Sequence, residues 1–365
     1  MVNSARSESS NLPSRRAGEP ESWAWRPVPP NLRQNICYFG EETDANIVKI
    51  ARNASQPSLR FLRAALPSLS LALVLLGIGW LNPRAMSYLG LNLMLNLGIP
   101  TALATVAQMF VITVNDLDLS IGTFVSFVGC VAATWLRDAP LLGLAVLLGG
   151  VAVYALMGAV IYLRNVPSIV VTLGMLFVWQ GLAILILPKP GGKPPSWLHD
   201  LMNFHTPYAP FPIFAATVIA ALVHVGLMRT SYGAILRGSG GNPNAIGRAG
   251  WSLLKTKVVM FALAGVFGVF SGLALIGLTT SADANIGKGY TLLSIAGVIL
   301  GGGEFVGGRV SAIGAVIGAL TLTLAGSLLN FMRISPDWQV GAQGGILIIV
   351  LAARAIINRT GRRAL

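Results

Sequence analysis

The string Asn115-Asp116-Leu117-Asp118-Leu119-Ser120-Ile121-Gly122 stands between two apolar runs and carries two carboxylates. Carboxylates so close to hydrocarbon are costly, and normally face a bundle interior or a watery cavity. The string also reads as a turn at the membrane face in which Asp118 or Ser120 caps the next helix; the two roles are compatible. A second set is Gly287-Lys288-Gly289-Tyr290, Gly301-Gly302-Gly303-Glu304 and Gly307-Gly308-Arg309. Glycines at that density let a chain turn inside or at the edge of a membrane without steric penalty, while Glu304 and Arg309 also suit a solvated loop. A third set runs from Gly240-Gly241-Asn242 through Pro243, Ala245 and Gly247 to Arg248. Asn242 is a good helix N-cap and Pro243 suits the first helical position, so a short helix on the membrane face is expected, flanked by Arg237 and Arg248.

Other chemistry is missing. No G-x-x-x-x-G-K-[ST] phosphate loop occurs, since Gly287-Lys288-Gly289 lacks both the earlier glycine and the hydroxyl residue. His199, His205 and His224 form no H-E-x-x-H pattern and have no nucleophile partner. Cys37 and Cys130 lie far apart without ligand spacing, so neither a disulfide framework nor a zinc site is read. No catalytic residue, metal or directly bound cofactor is expected.

The elements that position these residues follow from composition. Of 365 residues, 54% are hydrophobic and 11% charged, with a mean hydropathy of +0.70. Soluble domains carry about 25% charged residues, so most of this surface must face lipid. Six of the thirteen acids lie in the first 44 residues. The net charge of +13 comes from bases beside apolar segments, as the positive-inside rule expects, and no aromatic-basic pattern for nucleic acid is present.

Residues 1–62 read as a flexible polar cytoplasmic tail without a cleaved signal peptide, residues 63–358 as a membrane domain, and 359–365 as a basic cytoplasmic end. Apolar runs at 65–81, 89–112, 117–136, 141–163, 168–187, 211–228, 256–278, 289–302, 309–332 and 340–357 approach the roughly 20 residues that span a bilayer. Loop 229–257 holds Arg229, Arg237, Arg248, Lys255 and Lys257 without an acid, which places it and both termini inside. Ten spans satisfy that parity, and loop 188–210 then falls outside. The expected fold is an all-α integral membrane protein of about ten transmembrane helices, some short or re-entrant. Gly268/Gly272 and Gly314/Gly318 have the spacing of close helix packing.

At these residues, over 65–357, the chain resembles the ribose/xylose-type permeases of ATP-binding-cassette importers. Their G-G-I-D-L-S-V-G is similar to residues 115–122, and their P-x-[IF]-x-x-T-L-G-M to Pro167–Met175, which includes Thr172. Their cytoplasmic G-G-N-x-x-A-A resembles Gly240-Gly241-Asn242 with Ala245-Ile246, and G-x-G-Y-x-L resembles Gly287 to Leu292. The chain departs from the family at Asn115, Asp116 and Ile246, which bears on the substrate rather than the mechanism. The resemblance implies alternating access in a bacterial cytoplasmic membrane. Two permease chains, identical or not, would form the pathway, and a soluble extracytoplasmic binding protein would deliver a sugar. Cytoplasmic ATPases would hydrolyse ATP while docked on loop 229–257. Asn115, Asp116, Asp118, Ser120, Thr172 and Glu304 are then expected along the pathway. Arg237, Gly240, Gly241, Asn242, Ala245, Gly247 and Arg248 are expected at the ATPase. Were the first motif and the Gly-Gly-Glu segment to belong to inverted halves, one short span would be re-entrant. Importers of branched-chain amino acids or nucleosides, and an ion-coupled secondary transporter, are the alternatives.

Overall fold

The computed structural model describes residues 57–334 apart from His205 and Tyr208, together with a few isolated positions from 338 to 348. The expected tail, Cys37, the last span 340–357 and the basic C-terminus lie outside the described residues or almost so. Every described element is helical: α1 Pro57–Leu81, α2 Tyr88–Asn96, α3 Gly98–Thr113, α4 Ile121–Ala133, α5 Trp135–Asp138, α6 Pro140–Leu163 and α7 Ser168–Ile186. Then come α8 Ser196–Met202, α9 Phe211–His224 with a π-helical extension Val225–Arg229, α10 Ser231–Gly241 and α11 Pro243–Arg248. The last three are α12 Leu253–Leu278, α13 Lys288–Leu300 and α14 Ala312–Phe331.

Six helices among the described residues are long and apolar enough to cross a membrane, with shorter apolar helices at Ala65–Leu81 and Lys288–Leu300, so the expected count of about ten is not confirmed. The six are Tyr88–Thr113 (α2 and α3 together), α6, α7, Phe211–Arg229, α12 and α14. The run expected at 117–136 holds only the 13-residue α4, and the run at 289–302 only the 13-residue α13. At about 1.5 Å per residue each is roughly 20 Å long, short of a bilayer core of about 30 Å. The run at 89–112 breaks at Leu97. Pro100 explains this, because proline lacks an N–H for the carbonyl of Asn96 and its ring crowds that carbonyl.

Every residue of α3 is buried, which makes it the central helix. It packs against α12, α13 and α14, and α12 also packs along α6. Both halves repeat one scheme. A long helix (α3 or α12) leads through a non-helical stretch (114–120 or 279–287) to a 13-residue helix (α4 or α13) and then to another long helix. The two short helices run antiparallel. Gly287 N–H donates to Ser126 Oγ at 2.8 Å, whereas Thr291, one turn on, accepts from Gly122 N–H at 3.0 Å and donates to Leu119 O at 3.3 Å. Their N-terminal turns cross, and their C-termini point to opposite ends of the bundle. At one end Ala133 O accepts from Lys193 N–H, and Gly191 pairs with Ala282. At the other lies the glycine loop 301–309. The antiparallel crossing of the two short helices is what two halves of opposite orientation would give.

Glycine makes that crossing possible. A Cβ on Gly122 would overlap the carbonyl oxygen of Gly287, and one on Gly287 would overlap that of Gly122. Gly122→Ala should therefore overpack the junction by about 1–3 kcal/mol and lower the melting temperature of the detergent-purified chain. Gly149→Ala, whose Cβ meets nothing within 4 Å, should leave it unchanged. Equal melting temperatures for both variants would mean that the helices can separate at no cost.

Candidate functional site

The stretch between α3 and α4 is anchored residue by residue. Asn115 adopts φ 61°, a left-handed conformation that asparagine tolerates better than most residues. Its Nδ2 donates to Gly240 O at 2.7 Å, and its Oδ1 accepts from Gly307 N–H at 3.0 Å. One side chain thus bridges the end of α10 and the glycine loop after α13. A Cβ on Gly240 would overlap Thr113 O, and one on Gly308 (φ +64°) would overlap Arg237 O, so backbone meets backbone at this joint. Gly241 faces Gly307, and Arg237 Nε donates to Leu227 O at 3.1 Å.

Asp116 pairs with Lys257 at 2.8 Å, the two side chains 10% and 20% exposed. The pair fastens the stretch to the first turns of α12. Leu117 is held by α7: its N–H donates to Ser168 Oγ at 3.2 Å, and its carbonyl accepts from Thr172 Oγ1 at 3.3 Å. Thr172 is fully buried in that contact.

Asp118 is 1% exposed. Its Oδ1 accepts from the N–H and the hydroxyl of Ser120, both at 2.7 Å, and its Oδ2 from Tyr154 OH at 2.8 Å. With its amide turned so that the nitrogen faces Asp118 O and the oxygen faces Asp118 N–H, Gln108 pairs with both backbone groups of Asp118, at 3.0 and 3.2 Å. Beside this node Phe124, Phe127, Tyr154 and Trp179 cluster, the closest pairs tilted with centroids 4.7–4.9 Å apart. The carboxyl group is enclosed by α3, α4 and α6, and both of its oxygens accept from neutral donors.

The remaining expected residues lie at the glycine-loop end. Glu304 is exposed, and its carboxylate stands 3.7 Å from Arg309. Asn242 Oδ1 accepts from Ala245 N–H at 3.0 Å and caps α11, with Pro243 in the first turn. No residue of α11 is buried, and the space around Gly247 is open. The structure therefore separates the expected pathway residues. Asn115, Asp116 and Glu304 stand at the end of the bundle with the basic loop, while Asp118, Ser120 and Thr172 are enclosed among helices. Gln108, Tyr154 and Lys257 hold this site too. The first two could have been flagged as polar groups inside apolar helices; Lys257 counted only as one base among five.

Three comparisons bear on this arrangement. Residues 90–351 match the family model described as branched-chain amino acid transport system / permease component. The chain is 28% identical to the probable ABC transporter permease protein y4mJ of Sinorhizobium fredii, over 80% of this chain and 89% of the relative. It is 26% identical to the ribose import permease protein RbsC of Haemophilus influenzae, over 80% of this chain and 94% of the relative. It is 29% identical to the galactose/methyl galactoside import permease protein MglC of the same organism, over 64% of this chain and 77% of the relative. No solved structure matches.

The Asp116–Lys257 pair gives a direct test of the anchoring. Asp116→Asn or Lys257→Gln alone leaves a partly buried charge unpaired, while the double variant removes both. A thermal-stability cycle on the purified chain should return a favourable coupling of about 0.5–3 kcal/mol. Strict additivity would show that the pair holds nothing.

Proposed function

Since the chain belongs to the branched-chain amino acid transport system permease family, we propose that it is the membrane-spanning subunit of an ATP-driven importer for a monosaccharide. Relatives named as ribose and galactose permeases support the sugar class. A separate cytoplasmic ATPase supplies the energy, a second permease chain completes the pathway, and an extracytoplasmic binding protein delivers the sugar. The basic loop 229–257 orients the chain with α10 and α11 in the cytoplasm.

The observation that carries this reading is the joint at Gly240. The helix pair α10–α11 leaves no residue of α11 buried, with only Ile246 half-buried, and is pressed against the ends of α3 and α13 through Thr113, Asn115, Gly307 and Gly308. A push on α11 therefore reaches the ends of α3 and α13 together. Arg237, Gly240 and Gly241 form the seat; Asn242, Ala245, Gly247 and Arg248 form the face offered to the ATPase. Asp118, Ser120 and Thr172 hold the α3–α4 turn behind the pathway. Asn115, Asp116 and Glu304 lie where the pathway opens to the cytoplasm.

Transport in proteoliposomes tests the assignment. With partner ATPase and binding protein present, ATP should drive uptake of a labelled pentose or hexose and not of leucine; leucine uptake without sugar uptake would shift the substrate to branched-chain amino acids. Ala245→Trp should overpack the ATPase contact and weaken association about five- to hundredfold, the equivalent of roughly 1–3 kcal/mol, while insertion stays normal. Wild-type ATPase binding and uptake by that variant would remove α11 from the coupling route.

A further inference from the structure

A cavity of about 820 Å³ opens on the flank of the bundle between α9 and α12. Its floor is Phe110 of α3, and its walls include Leu222 and Gly226 of α9 and Val259, Leu263 and Phe267 of α12. No carboxylate, amide, histidine or cation lines it, and the hydrogen-bonding side chains in its lining are Trp197 and Tyr232 alone, so its body is poorly suited to the many hydroxyls of a sugar. Its volume falls within the roughly 300–1,000 Å³ of ligand cavities. A transmembrane helix about 10 Å across and 30 Å long displaces more than roughly 2,000 Å³, so it could cover this groove but not fill it, whereas acyl chains can enter it.

The two ends identify the occupant. Trp197 of α8 closes one end and Tyr232 of α10 the other, with Trp251 edge-on to Tyr232 at 6.3 Å. Aromatic residues at both rims are the mark of membrane–water interfaces. At the Tyr232 rim stand two cations. Arg229 follows three residues after Gly226 on the α9 extension, and Lys255 precedes Val259 by one helical turn on α12. Both are exposed, and neither makes an ion pair among the described residues. Loop 229–257 supplies no acid for them.

We propose that this groove binds an anionic phospholipid of the leaflet at the basic-loop end. The acyl chains fill the α9–α12 gap, and the phosphate rests between Arg229 and Lys255 beside the Tyr232–Trp251 pair. A lipid seated there would support α10 from the membrane side.

The test uses the full chain in vesicles of phosphatidylglycerol and phosphatidylcholine, with a photoreactive group on the acyl chain of one lipid or the other. Peptides of α9 and α12 should be labelled by the phosphatidylglycerol probe in preference to the phosphatidylcholine probe. The double variant Arg229→Gln/Lys255→Gln should reduce that preference by up to about 30-fold. Gly226→Leu places its side chain into open space, since a Cβ there meets nothing within 4 Å, and should block labelling with both probes while the protein elutes as a folded species. Equal labelling by both lipids that ignores the cation variants would overturn the proposal, leaving ordinary lipid contact. Unlabelled α9 and α12 peptides would overturn it as well, because protein would then cover the groove.

Discussion

A stretch of backbone that leaves helical geometry inside a membrane must find every hydrogen-bond partner within the protein, because hydrocarbon offers none. Residues 117–120 are such a stretch, enclosed among apolar helices, and much of the site geometry answers that demand. The Gln108 amide serves Asp118, Ser168 and Thr172 serve Leu117, and the Asp118 carboxylate turns back onto Ser120. Tyr154 closes the remaining carboxylate oxygen. These partners come from α3, α6 and α7, and the turn runs directly into α4, so one irregular turn fixes the relative placement of four helices.

The turn also limits the length of α4. By starting that helix well inside the bundle, it leaves room for α13 to enter from the opposite half, and the two short helices meet through Gly122 and Gly287. Side chains there would force the N-terminal turns apart. Small residues at a helix contact let backbones approach and gain dispersion and hydrogen-bond energy where lipid provides no hydrophobic drive. The gain is visible in the Gly122–Thr291 and Gly287–Ser126 bonds.

The joint at Asn115 joins this interior to the surface. Its amide reaches the α10 end and the loop after α13 at once, and the left-handed backbone aims it there. Glycines at 240 and 308 remove the side chains that would otherwise separate the three segments. Such a contact has little slack, so a displacement of α10 is passed on rather than absorbed. A displacement of the α10–α11 pair would therefore reach the ends of α3 and α13 together, as the proposed ATP-driven function requires.

Much of this was legible in the chain itself. Charge scarcity named lipid as the solvent, the acid-free loop 229–257 singled out one face, and Asn242-Pro243 marked the start of α11, because composition and capping are local properties. The strings at 115–122 and 287–309 stood out for the same reason: polar or glycine-rich sequence between apolar runs needs an explanation. Hydropathy could not tell a spanning helix from a half-length one, since α4 and α13 are at least about as apolar as the α2–α3 crossing segment and are shortened by the irregular stretches that flank them. Nor could it pair Asp116 with Lys257 or bring Tyr154 to Asp118, residues 141 and 36 positions apart. Those partnerships exist only once α12 and α6 pack against the α3–α4 turn. They, rather than any local signal, decide which carboxylate stands at the mouth of the bundle and which is sealed inside it.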